Sequence, residues 1–200
     1  NATSAFKVDK NDVPIIINVT NSNVGEVEQI NVTVGNNATG YVIVDVDGQQ
    51  YHVNIIDGVA QVNITGLKAG EHNVTAIYVE NDKFLGNSTN TTLTISKVPS
   101  TVNVTVDNIT VGDVAAVNIT VITNGTGNVT IVIGDEYNKT VGVTDGVISV
   151  IVPGLTVGDK TVNVTYNGDD RFLPSENSAN FTVGKTTTEI TLVVQNITYG

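Results

Sequence analysis

Asparagine followed two residues later by threonine is the dominant chemical pattern of this sequence. The acceptor pattern Asn-X-Ser/Thr, with X not Pro, occurs 17 times in 200 residues. It marks sites where an oligosaccharide is joined to the Asn amide nitrogen. The acceptors are Asn1, Asn18, Asn31, Asn37, Asn63, Asn73, Asn87, Asn90, Asn103, Asn108, Asn118, Asn124, Asn128, Asn138, Asn163, Asn180 and Asn196. Given 25 Asn, with 36 Ser plus Thr in 200 residues, chance produces only about four or five such triplets. Strand alternation is one cause of an excess: in Asn103-Val104-Thr105 the polar residues share one face and Val takes the other. Yet Asn is depleted from strands, and an ordinary solvent face uses Thr, Ser, Lys or Glu. A codon bias towards Asn would also raise Lys, which numbers only 8. N-glycosylation of several sites is therefore expected. The middle residue can point inward at Val19, Val32, Ile64, Val74, Val104, Ile119, Val129, Val164 and Phe181, whereas Asn37, Asn87, Asn124 and Asn138 are expected on loops.

The other reactive side chains form weaker patterns. Asp169-Asp170 with Glu176, and Glu80 with Asp82, fall in loops before a final strand. They read as solvated turn acids, with Ca²⁺ held between modules as the alternative. Lys10, Lys97 and Lys185 recur at linkers and read as boundary charges rather than partners in a Lys–Asn crosslink. Tyr78 and Tyr166, followed by Phe84 and Phe172, are expected to plug the end of a sandwich rather than stack on a sugar. Cys is absent, so there is no disulfide, no thiolate metal site and no Cys nucleophile. Two His, 8 Ser and no Gly-rich phosphate loop give no catalytic constellation; the chain is read as no enzyme, with no cofactor.

Charge narrows the partners. The net charge is −11, from 20 Asp plus Glu against 9 Lys plus Arg, and Arg171 is the single Arg. No basic stripe exists to neutralise nucleic-acid phosphates or meet an anionic membrane. No apolar run approaches the ~18 residues of a membrane span.

These patterns must be carried by strands. Val, Ile and Thr number 36, 19 and 28, against 6 Leu, and β-branched side chains favour a pleated surface over a helix. The sequence also repeats. Val24-Gly25-Glu26 returns as Val111-Gly112-Asp113, Asp57-Gly58-Val59 as Asp145-Gly146-Val147, Gly66-Leu67 as Gly154-Leu155, and Phe84-Leu85 as Phe172-Leu173. The offset of 87, later 88, defines modules at 11–97 and 98–185. Residues 1–10 match a module's last strand and 186–200 match its first, so the chain is expected to continue the tandem in both directions.

Within the second module, strands are expected at 101–107, 114–123, 127–134, 137–143, 146–152, 160–167 and 177–184. Alternation (Val102, Val104, Val106) and turn signals such as Asn124-Gly125 and Asp145-Gly146 set these bounds. In the first module, Asp47-Gly48 and Asp57-Gly58 read as hairpin turns. The fold class is all-β: tandem immunoglobulin-like β-sandwich modules of about seven strands each.

The stretch Gly154-Leu155-Thr156-Val157-Gly158, then Val164-Thr165-Tyr166-Asn167-Gly168-Asp169-Asp170-Arg171-Phe172-Leu173-Pro174-Ser175, resembles the bacterial Ig-like repeat family of large surface proteins. The first module departs, with Tyr78-Val79-Glu80-Asn81-Asp82-Lys83-Phe84-Leu85 and no Gly-Asp pair. With its Asn- and Thr-rich strands the chain is most similar to adhesin-like surface proteins of methanogenic archaea. The resemblance implies a β-sandwich spacer or adhesive module at a cell surface or wall, without catalytic residues. The partners implied are N-glycans and neighbouring modules of the same chain. The expected function is a glycosylated extracellular stalk or adhesin segment, semi-rigid because its linkers are short. The alternatives are a module binding carbohydrate or cells through its end loops, and a filament subunit assembling by strand exchange.

Overall fold

Alternating β-branched residues build strands throughout. The computed structural model describes residues 7–35, 37–122, 125–196 and 198–200. Asn1 and Asn124 lie outside them. The chain divides into two units, Asn1–Val98 and Pro99–Gly200.

In the first unit, β1 (Ile15–Asn18), β3 (Val27–Val34) and β6 (Val59–Thr65) form an antiparallel sheet in the order β1-β3-β6. The opposing sheet runs β2-β8-β7-β4-β5, from β2 (Ser22–Asn23), β8 (Asn87–Ser96), β7 (Gly70–Tyr78), β4 (Tyr41–Val46) and β5 (Gln49–Asn54). The second unit repeats this strand for strand. One sheet joins β9 (Thr101–Thr105), β11 (Ala115–Ile122) and β14 (Val147–Val152), with β11 in the centre. The other runs β10-β16-β15-β12-β13, from β10 (Ile109–Thr110), β16 (Ser175–Gly184), β15 (Gly158–Tyr166), β12 (Asn128–Ile133) and β13 (Tyr137–Gly142). Each unit is an immunoglobulin-like β-sandwich.

The extra strand in each unit comes from splitting the first. The expected strand 101–107 ends at Thr105, and β10 then pairs parallel with β16 in the opposite sheet. Asn108 marks the crossing: its Oδ1 accepts the Thr182 N–H at 2.8 Å. Asn21 does the same for Thr94 at 3.0 Å in the first unit. A two-residue ladder is too short to show alternation, which is why it left no mark in the sequence.

The tight turns follow from their residues. Asp47-Gly48, Asp57-Gly58 and Asp145-Gly146 all have positive φ at both positions, the geometry that matches strand twist in a two-residue turn. Asp47-Gly48 joins the paired strands β4 and β5, but Asp57-Gly58 is no hairpin between paired strands: β5 and β6 lie in opposite sheets, and this turn, like Asp145-Gly146 between β13 and β14, closes a single bridge, Ile56 to Val59 and Thr144 to Val147.

The cores are written in strand alternation. Ile30, Val32 and Val34 of β3 face Val42, Val44 and Val46 of β4, Val74 and Ala76 of β7, and Leu93 and Ile95 of β8, all buried. In the second unit Val117, Ile119 and Val121 are buried with Val129, Ile131, Ile133, Val162, Val164, Phe181 and Val183. Burying each such side chain contributes about 1.5–3 kcal/mol against chain entropy. Glu28 is buried where the second unit has Ala115, and it accepts a hydrogen bond from the Ser22 hydroxyl. Residues 7–10, 186–196 and 198–200 lie outside the strands and are exposed.

Candidate functional site

Most of the described acceptor asparagines lie on strands; Asn37, Asn108 and Asn196 do not. Of the fifteen acceptor asparagines described, Asn31 is half-buried and the rest are exposed. The middle residues Val32, Ala38, Ile64, Val74, Val104, Ile119, Val129, Val164 and Phe181 are buried. The matching Thr33, Thr39, Thr65, Thr105, Thr120 and Thr182 are exposed. Strand pleat explains the arrangement: residues i and i+2 share a face, so an inward Val turns its flanking Asn and Thr outward together. In Asn73-Val74-Thr75 the Asn Nδ2 lies 3.4 Å from the Thr hydroxyl of the same triplet.

Two placements differ from expectation. Asn87 opens β8 and Asn138 lies within β13, so neither is on a loop. Their middle residues, Ser88 and Lys139, are both exposed, so no inward apolar residue marked these segments as strand. Asn37 is in a turn, with φ 54°.

The acceptors are not equivalent. The Asn87 Nδ2, the atom a sugar would bond, donates to the Val13 carbonyl at 2.7 Å, and its Oδ1 accepts the Ser88 N–H at 2.8 Å. Asn177, which heads no acceptor triplet, makes the same pair of contacts with Val102 and Ser178, at 3.0 and 2.8 Å. Asn87 is thus a structural tie between outer parts of the sandwich. Asn18 and Asn31 are direct cross-strand partners, with Cβ atoms about 4.5–5.5 Å apart in such pairs.

Of the acids expected in loops, Asp169 is absorbed into the fold, whereas Glu176 lies in β16 rather than in a loop. The Asp169 carboxylate accepts the N–H groups of Arg171 and Phe172 at 2.8 Å on one oxygen. The other oxygen takes the Thr126 N–H at 2.9 Å and hydroxyl at 3.1 Å. Partial burial pushes this carboxyl up, but the N–H bonds prevail and hold it at about 2. Asn81 fills the same place in the first unit. Its Oδ1 accepts from Lys83 and Phe84 at 2.9 and 3.0 Å, and its Nδ2 donates to the Thr39 carbonyl and Tyr78 hydroxyl at 2.9 Å. The difference between the two modules at this loop is therefore a change of group within a preserved geometry. Tyr78 and Tyr166 are buried and donate to the Thr39 and Thr126 carbonyls at 2.8 and 2.7 Å. Burial, then the neighbouring Asp169, raises the Tyr166 hydroxyl. Arg171 lies over the Phe172 ring, 5.4 Å from its centroid. Among the described residues no three His, Asp or Glu side chains are grouped to hold a metal ion. Lys10, Lys97 and Lys185 are exposed, with Lys10 paired to Glu80.

A second pair of features was not legible in the sequence. In the first unit His72 Nδ1 faces the Asp47 carboxylate at 2.6 Å and Nε2 faces the Lys68 carbonyl at 2.8 Å. Both partners are pure acceptors, so the doubly protonated ring satisfies both. In the second unit Lys160 stands at the equivalent position on β15 and pairs with Glu136, whose carboxylate also accepts the Thr156 N–H and hydroxyl. The Lys160 contact, then the Thr156 bonds, hold Glu136 at about 2. The Lys68 carbonyl raises the His72 pKa above 6.5; burial lowers it, and Asp47 and Glu28 on β3 raise it. A raised folded pKa contributes stability that is complete below about 6.5 and lost as pH rises through the folded value. The first unit is thus expected to melt at a lower temperature at pH 8 than at pH 6, and His72→Gln is expected to remove that difference. The second unit's clasp, built on Lys160, is expected to show no change in this range. Calorimetry of the chain at both pH values checks this, and an unchanged pH dependence in His72→Gln contradicts it.

One open depression lies between the β3–β4 and β5–β6 connections, beside Thr33, Asn37, Thr39 and Asp57.

No protein-family model matches the chain, and no curated protein matches it. Solved structures do align. Fibronectin(III)-like modules of Clostridium thermocellum CbhA are 15% identical, with 91% of this chain and 100% of that one covered and a TM-score of 0.38. An I-band fragment of titin is 13% identical over 88% of this chain and 66% of that one, with a TM-score of 0.41. The adhesin InvE of Yersinia pseudotuberculosis is 13% identical over 84% of this chain and 58% of that one, with a TM-score of 0.41. At these identities and scores the assignment of fold rests on the sheet topology above.

Proposed function

We propose that this chain is a non-enzymatic segment of a cell-surface repeat protein, its tandem Ig-like modules N-glycosylated on their outward faces. The observation that carries the reading is a geometry that nine of the described triplets share across both units: a buried middle residue flanked by an Asn and a Thr that are exposed or half-buried. Glycan attachment needs an accessible amide, and a fold needs the intervening side chain; alternation supplies both. All 17 acceptors end in Thr. Asp169, Tyr78 and Tyr166 support a structural role, because their polar atoms are engaged in holding loops. A sugar coat on outer strands such as β6, at Asn63, would also block edge-to-edge pairing. The resemblance to adhesin-like repeats of methanogenic archaea points to an extracellular stalk or adhesin segment.

Glycopeptide mapping of the protein purified from the cells that make it tests this. Sugar is expected on exposed strand asparagines such as Asn63, Asn103, Asn118 and Asn163. Asn87 is expected bare, and Asn18 and Asn31 are not expected to be occupied on the same molecule. Unmodified asparagine at every acceptor contradicts the reading.

A further inference from the structure

The outward face of the five-stranded sheet differs between the two units. In the first unit, buried Val42 and Val44 turn Ile43 of β4 outward, and buried Ala76 and Tyr78 turn Ile77 of β7 outward. Register then aligns a row across four strands. His52 of β5 lies opposite Ile43, Ile43 opposite Ile77, and Ile77 opposite Ser88 of β8. Tyr41 stands beside this row, its ring 5.6 Å from the His52 ring and tilted by 32°. Tyr41 is 37% exposed and Ile77 36%. Exposed Gln50 and Asn54 flank His52 on the same side of β5.

An apolar row with amides at its margin fits a sugar. The C–H face of a sugar ring packs on aromatic and aliphatic side chains, and its hydroxyls meet the amides. A tether for such a sugar stands next to the row. Asn90 of β8 is exposed, heads the triplet Asn90-Thr91-Thr92 and lies opposite Thr75. It shares a face with Ser88, so Ile77 is its diagonal neighbour, about 7–8 Å away in such a ladder. From β8 to β5 is three strand spacings, about 14 Å.

The second unit supplies an internal comparison. There the places of His52, Ile43 and Ile77 are taken by Thr140, Thr130 and Thr165, again as direct partners. The place of Asn90 is taken by Ser178, which lies opposite Asn163 as Asn90 lies opposite Thr75. The apolar row and the acceptor beside it occur together in one unit and are replaced together in the other.

We propose that a glycan joined to Asn90 folds back over the first unit and packs along Ile77, Ile43, Tyr41 and His52. This rests on the reading that the acceptors are glycosylated. The contact exists only while the strands are paired, so the sugar stabilises the first unit by covering apolar surface.

Thermal melts of the full glycoprotein, made in the cells that naturally produce it, test this, with glycopeptide mapping of each sample. Asn90→Gln, which deletes the acceptor, is expected to lower the melting temperature of the first unit by about 4 °C and to leave the second unit unchanged. Ile77→Thr puts at this position the residue found at 165; in that background Asn90→Gln is expected to cost less than half as much. In chain made without glycosylation, Asn90→Gln is expected to have no effect. The proposal is overturned if Asn90 is occupied and its loss leaves the first unit's melting temperature unchanged. An equal cost in the Ile77→Thr background or in the unglycosylated chain overturns it too, as does a bare Asn90 on a chain carrying sugar elsewhere. A chain bare at every acceptor overturns the glycosylation reading itself, and this proposal with it.

Discussion

Replacing Tyr166 with alanine is expected to destabilise the second unit by about 3–5 kcal/mol, the range for truncating a buried aromatic. The ring has no exposed surface and closes the end of the core where β15 finishes. Its hydroxyl adds a second, separable contribution through the Thr126 carbonyl at 2.7 Å. Tyr166→Phe keeps the ring and loses that bond, so about 1 kcal/mol is expected. Domains of this size are stable by about 5–15 kcal/mol, so the alanine variant removes a large share. Because the two units have separate cores, denaturant unfolding is expected to show one transition moved and the other unchanged. A loss below about 1 kcal/mol for Tyr166→Ala would mean that the tyrosine is not a core plug.

Asp169→Ala is expected to cost about 2–3 kcal/mol, because several donors lose one charged acceptor. They include the N–H groups of Arg171, Phe172 and Thr126 and the Thr126 hydroxyl. Asp169→Asn keeps the bonds to Arg171 and Phe172 and can adopt the pattern of Asn81, so about 1 kcal/mol is expected. The two variants also differ from wild type in acid. The carboxyl titrates at about 2 in the fold against an ordinary 3.8. A lowered folded pKa contributes stability that is present above the unfolded value and lost as pH falls through the folded one. Wild-type stability of the second unit should therefore fall between pH 4 and pH 2, less steeply in Asp169→Asn, while Glu136 still contributes. Equal acid slopes in wild type and Asp169→Asn would contradict the role given to this group.

The strands and their faces were legible because a half-buried sheet writes itself with period two. Val104, Ile119 and Val129 read as inward from sequence and are buried. Asp-Gly turns were legible because few residue types accept positive φ at two successive positions. The crossing strands β2 and β10 were not, since two residues carry no period. Asn87 and Asn138 read as loop residues because the residues that follow them, Ser88 and Lys139, have no inward apolar character. The keystone role of Asp169 and Asn81 escaped because it depends on loop backbone donors, which no side-chain pattern reports. The clasps of His72 with Asp47 and Lys160 with Glu136 join residues 25 and 24 positions apart. Only strand register brings them together, and the two pairs share no residue type that would have exposed their equivalence.

The central claim is that the outward faces carry sugar, and the mass of the intact protein from its natural source tests it most directly. The 200 residues alone have a mass of 21.0 kDa. For a defined proteolytic piece covering them, the account predicts a ladder of heavier species separated by sugar masses. A single species at the mass of the bare chain would contradict it, and the abundance of Asn-X-Thr would then reflect only the writing of polar strand faces.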